Sequence, residues 1–226
     1  MRHLLCQPLL VFSITLAPDV QAQSPSGGST PTTPSATIGG PVARYLDRDS
    51  SKTVTRDDLA LDLARRHGRR DEGQRALDYL IHLTLVRNAA ARAGVMPNAT
   101  ETKEWLKALD QKLKQNGMQL DALIRQKGMT RAVFEREFAA LQIAHERLVR
   151  RALDLAEGTP VSESQLGLWL TEMRAKQGVV TDPANVPAGM VAKIGTTLVT
   201  ELELGRIMER SCSVDERKDT VRQLVL

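Results

Sequence analysis

A phrase written twice constrains this chain more than any other feature. Near the start it reads Val42-Ala43, then Val54-Thr55-Arg56-Asp57-Asp58-Leu59. Near the end it reads Val191-Ala192, then Val199-Thr200-Glu201-Leu202-Glu203-Leu204. The echo continues: Asp71-Glu72 before Leu77, Leu80 and Ile81 is matched by Asp215-Glu216 before Val221, Leu224 and Val225. Val191 to Ile194 and Thr197 to Val199 flank Gly195-Thr196, a hairpin signal, and Val42 to Leu46 with Thr53-Val54 offers the same. A lone hairpin is marginal in water, so each needs a neighbour. The expected fold is therefore mainly α, with a small β element formed by short N-terminal and C-terminal strands that pair with one another.

Between the echoes, residues 70 to 177 read as helices with clear punctuation. Leu77, Leu80, Ile81, Leu83, Leu85 and Val86 make a segment apolar nearly all round, the mark of a central buried helix. It stops at Gly94, with Pro97 beyond. Asn98 and Glu101 fit a capping box for a helix whose stripe is Trp105, Leu106, Leu109 and Leu113. A short helix carries Leu120, Leu123 and Ile124 and ends at Gly128. The next, expected to be the longest, runs from Thr130 to about Ala156. Its stripe is Phe134, Phe138, Leu141, His145, Leu148, Ala152 and Leu155, spaced by fours and threes as helix-packing seams are. Ser162 and Gln165 box the last middle helix, where Leu166, Trp169, Leu170 and Met173 share a face. The spacers are short, so neighbouring helices should pack antiparallel or steeply crossed.

The first 22 residues read as a secretory signal. Arg2 and His3 give a basic start, Leu9 to Ala17 is too short for the roughly 20 residues of a membrane span, and Val20-Gln21-Ala22 suits cleavage. The expected location is therefore exported, periplasmic or secreted. Residues 23–40 are almost entirely Ser, Thr, Pro, Gly and Ala, too polar to offset chain entropy, and should form a disordered tether. Residues 41–226 are long enough for one good core. Of the two cysteines, Cys6 would leave with the signal, and Cys212 alone makes no disulfide framework.

Net charge is +4, with both signs mixed. The densest basic stretch, Arg125 to Arg151, is interrupted by Glu135, Glu137 and Glu146 at helical spacing, which suits a solvated face rather than a nucleic-acid stripe. Aromatics are only 3%, too few for a stacking platform on single strands. No nucleic-acid partner, and no integral membrane segment after signal cleavage, is expected.

The residues that could carry chemistry read more simply as structure. His145 lies in an apolar stripe with no second ligand at metal spacing on its face, so it is expected to be a partly buried structural residue. His67 precedes Gly68 as a helix C-terminal residue, and His82 has Asp78 four residues earlier as a local partner. No Gly-x-Ser-x-Gly and no phosphate-binding glycine loop occurs. Asn98-Ala99-Thr100 is a glycosylation sequon already occupied by capping. No catalytic residue, cofactor site or metal site is assigned. Met96, Met118 and Met129 sit in helix junctions and Met173 on a stripe, where flexible thioethers suit a surface that fits varied partners. Met129 is better explained as the staple residue before the Thr130 cap, facing Phe134.

The order of these signals resembles a known family. A Val-Ala strand (Val42-Ala43) and a helix start at Val54-Thr55 are followed by Leu77, Leu80-Ile81, Ala90 and Ala93-Gly94-Val95. Leu120, Leu123-Ile124, Gly128-Met129-Thr130 and Phe134 then follow. This pattern is similar to the chaperone domain of SurA-like periplasmic proteins and of the related PrsA and trigger-factor families. It covers about 41 to 177, with the C-terminal echo, 190 to 226, as a second piece. The resemblance implies a domain assembled from both pieces, commonly interrupted by a parvulin prolyl isomerase. Only Gly178 to Gly189 lies at that insertion point, against the roughly 50 residues a small domain needs, and no parvulin motif is present. The function so implied is an exported, ATP-independent chaperone whose partners are unfolded or partly folded polypeptides. Met96, Met118, Trp169 and Met173 are its candidate contact residues. A prolyl isomerase, or an assembly module with one fixed partner, are the alternatives. Oligomeric state is not legible.

Overall fold

The computed structural model describes residues 41–47, 50–211 and 214–225. The expected signal (1–22), the tether (23–40), Cys6 and Cys212 lie outside the described residues. In chain order the elements begin with β1 (Pro41–Asp47), β2 (Ser50–Thr55), α1 (Arg56–His67) and α2 (Asp71–Ala93). α3 (Ala99–Gln115), α4 (Leu120–Gln126) and α5 (Arg131–Val133) follow; α5 runs through a π-helical turn (Phe134–Ala139) into α6 (Ala140–Ala152). Then come α7 (Glu163–Lys176), β3 (Val179–Val180), a 3-10 turn (Pro183–Asn185), β4 (Met190–Ile194), β5 (Thr197–Thr200), α8 (Glu201–Ser211) and α9 (Val214–Val225). The fold is mainly helical with a small β element, as the sequence leads one to expect.

The repeated phrase produces the same local structure twice. At the first copy Asp58 N–H donates to Thr55 Oγ1 at 3.2 Å, and Thr55 N–H donates to the Asp58 carboxylate at 2.8 Å. At the second, Glu203 N–H donates to Thr200 Oγ1 at 3.1 Å, and Thr200 N–H donates to the Glu203 carboxylate at 2.8 Å. Two orphan donors of each helix start are thereby satisfied. A hairpin precedes each box. In one, Ala43 lies opposite Val54; in the other, Ala192 lies opposite Val199, with Gly195 at φ 58 in the turn.

The ends meet, but not as a shared sheet. β1 and β2 form their own two-stranded sheet, while β4 pairs with β5 and with β3. The expectation that the N-terminal and C-terminal strands pair is corrected on this point. Contact passes through helices instead: α1 packs mainly on α8, and α9 packs on α1, β1 and β2. Arg56 pairs with Glu209 at 2.7 Å, Asp57 with Arg206 at 3.0 Å and Arg65 with Glu201 at 3.1 Å, a ladder that fixes α1 and α8 antiparallel. The N-terminal hairpin finds its neighbour in helices and the C-terminal one in β3 and helices, whose apolar faces bury more area than a short strand edge could.

α2 is the axis. Ala76, Leu77, Leu80, Ile81 and Leu85 face a first cluster with Ala192, Ile194, Val199, Leu204 and Met208. Leu83, Val86, Ala89 and Ala90 face a second with Leu141, Ala144, Leu148, Leu166 and Trp169. This explains a helix apolar nearly all round. Tyr79 and Met173 touch both clusters. A third, separate cluster joins Leu106, Leu109 and Leu113 of α3 to Leu120, Ile124 and Phe134. The Thr130 stripe is thus divided: Phe134 belongs to the third cluster, Leu141 and Leu148 to the second. The π-turn between them adds a residue to the helical repeat and re-aims the face. This helix ends at Ala152, short of the expected Ala156, and Asp154 takes a left-handed φ of 50. α2 is the longer helix. Residues 178 to 189, the expected insertion point, hold β3 and the 3-10 turn, which return the chain to β4.

Candidate functional site

Among the described residues, no group of three or more His, Cys, Asp or Glu stands together as metal ligands, and no helix is long and apolar enough to cross a membrane. The structure does not gather the four candidate contact residues into one surface. Met96 follows α2 and is 42% exposed; Met118 follows α3 and is 44% exposed. The 17-residue α3 lies between them, a separation of about 25 Å along its axis. Trp169 is 8% exposed inside the second cluster, and Met173 is half-buried between the first and second. Met129 packs against the third cluster with Phe134, as its staple role requires.

Exposed large apolar side chains occur elsewhere: Leu153, Leu168 and Leu198, none of them evident as a site from periodicity. Leu168 lies on α7 between the buried Leu166 and Trp169 and is the most exposed of them. Leu153 follows the last residue of α6. That end of α6 is fastened to the end of α2, because Arg147 donates to the Val95 carbonyl at 3.4 Å and Arg151 to the Ala93 carbonyl at 3.3 Å. Met96 and Leu153 therefore belong to one end of the molecule. Arg147 also binds Glu101, at 2.5 Å, and holds that carboxyl below the ordinary range; the Asn98 N–H adds to the effect. Arg147, Arg151 and Glu101 thus place charges of both signs where the ends of α2 and α6 meet.

A polar junction ties α8 to the π-turn. Arg210 meets the Glu137 carboxylate at 2.8 Å, and both are half-buried. Burial raises the Glu137 carboxyl, but Arg210 and Arg136 together outweigh it and leave it below the ordinary range. Gly128 allows the α4–α5 turn to approach the same point: a Cβ there would stand 2.6 Å from the Arg210 carbonyl. Tyr79 lies in this field, its hydroxyl made harder to ionise by burial.

The histidines differ from expectation. His145 is fully buried, 3% exposed, rather than partly so. Asp78, the expected local partner of His82, is instead bonded by Arg174 of α7 at 2.6 Å. The His82 ring lies edge-on to His145, with centroids 5.1 Å apart. Helical spacing alone could not show this, since the partner is on another helix. His67 lies in the last turn of α1, as expected.

Comparison of the chain with family models, with curated proteins and with solved structures finds no match.

Proposed function

We propose that this protein is an exported, ATP-independent chaperone of the SurA-like kind, holding unfolded or partly folded envelope or secreted polypeptides. The reading rests first on the sequence resemblance. What supports it further is the exposure of Met96 and Leu153, flexible or branched apolar groups that follow the tied ends of α2 and α6, where Arg147, Arg151 and Glu101 supply mixed charge. Met118, Leu168 and Leu198 add separate apolar points on other parts of the frame. Scattered points of this kind suit an extended client that touches several places weakly, more than a folded partner that needs one continuous patch. Holding works by mass action on the unfolded state and requires no nucleotide.

The test is site-specific crosslinking. A photo-reactive amino acid placed at residue 96, 118, 153 or 168 should capture two unrelated chemically unfolded clients, and the same group at the exposed polar position Lys103 should not. Equal capture from Lys103, or capture of folded clients only, would contradict the proposal.

A further inference from the structure

Two imidazoles meet inside the joint of α2, α6 and α7. His82 and His145 stand edge to face, and the Trp169 ring of α7 covers His145 with centroids 5.0 Å apart. Around them lie Leu83, Val86, Leu141, Leu148 and Leu166, an apolar cluster. His145 Nε2 is buried and has no hydrogen-bond partner. A proton added there would place a charge among apolar side chains, and a second charge on His82 would face it at about 5 Å. We propose that the His82–His145 pair is an acid-operated latch: its protonation releases α7 from α2 and α6 and bares the apolar face carrying Leu166, Trp169 and Met173. This inference does not rest on the chaperone reading.

The charges around the pair favour release. From α7, Arg174 opposes protonation of His82, and its own tie to Asp78 of α2 is exposed. On α6, Glu146 and Arg150 pair with each other at 3.5 Å. From α8 and the π-turn, Arg210 and Glu137 act on Tyr79. No carboxylate of the described residues contributes to either imidazole; only the Leu166 backbone favours a charged His145. Burial, helped by Arg174, holds His82 down at about 4, and burial, helped by His82, holds His145 down at about 3. A glycine turn bounds α7 on each side, Gly158 before it and Gly178 after it taking left-handed φ values of 84 and 59.

The sign follows from linkage. In the released state both rings regain a value near 6.5. Closure is therefore at full strength above about pH 6.5 and is lost as pH falls toward the closed-state values. Each ring weakens it about tenfold per pH unit, so both together weaken it about 1,000-fold by pH 5.

The chain has two tryptophans, so Trp105→Phe leaves Trp169 as the reporter. In that background we expect Trp169 emission to change with a midpoint between about pH 4 and 6, while the far-ultraviolet helical signal is largely retained. His145→Gln and His82→Gln should each lower the midpoint by about half a unit or more, and reduce the number of protons taken up. If His145→Gln does not fold at pH 7.5, His82→Gln alone decides the question. An unchanged midpoint in the folded histidine variants, or loss of the helical signal together with the Trp169 change, overturns the latch. So does its abolition by Asp78→Asn, which would make a carboxylate the trigger.

Discussion

Gly205 of α8 lies directly against Ala60 of α1, so close that a Cβ at residue 205 would overlap the Ala60 backbone. Ala60 and Gly205 each stand five residues after the capping threonine of their own copy of the repeated phrase, Thr55 and Thr200. Equivalent residues of two like units therefore touch, as they do where two like units pack about a two-fold axis. A side chain here must push two helix backbones apart. Gly205→Ala should destabilise the protein by more than about 2 kcal/mol in urea unfolding. Gly167→Ala, on α7 with nothing within 4 Å, should instead stabilise it by about 0.5–1 kcal/mol. Equal effects at the two sites would contradict the close packing of α1 on α8.

The two capping boxes predict matched losses. Thr55→Ala and Thr200→Ala should each lower stability by about 1 kcal/mol. They sit at opposite ends of an antiparallel helix pair, so the double variant should show their sum within about 0.5 kcal/mol. A loss at only one of the two positions would show that the echo is not structural.

Arg210 and Glu137 join α8 to the π-helical turn in the middle of the chain. Glu137→Gln should destabilise by about 1–2 kcal/mol at pH 7, since it leaves a half-buried guanidinium without its charged partner. The carboxyl's folded value lies below its ordinary 4.5. Its contribution is therefore complete above about pH 4.5 and fades as pH falls through the lower folded value. The gap between wild type and Glu137→Gln, measured by urea unfolding, should shrink by pH 3. A gap that is constant or wider there would assign the effect to packing rather than charge.

Local features were legible in the sequence because their causes are local. The boxes at Asn98–Glu101 and Ser162–Gln165 and the left-handed stop at Gly94 are all present where residue type and spacing place them. So are the stripes of α3 and α7. What escaped was partner choice. Nothing in Val54-Thr55 states that its hairpin will lean on helices rather than on the second hairpin. Asp78 stands four residues from His82, yet Arg174, far along the chain, takes it. β3 is two residues long and owes its form to pairing with Ile194 and Lys193. The four candidate contact residues separated for the same reason: stripe position marks a face as apolar, but only packing decides that Trp169 on it is buried while Met173 is half-buried.

The central claim is that this chain holds unfolded polypeptide without catalysing isomerisation about proline. The decisive measurement adds it to a chemically unfolded client on dilution, without ATP, and follows light scattering, with a proline-limited peptide assay run on the same preparation. The account predicts suppressed scattering at near-stoichiometric amounts and a background isomerisation rate, the uncatalysed barrier of about 18–20 kcal/mol being left intact. Undiminished scattering at a large molar excess, or faster isomerisation at substoichiometric amounts, would contradict it.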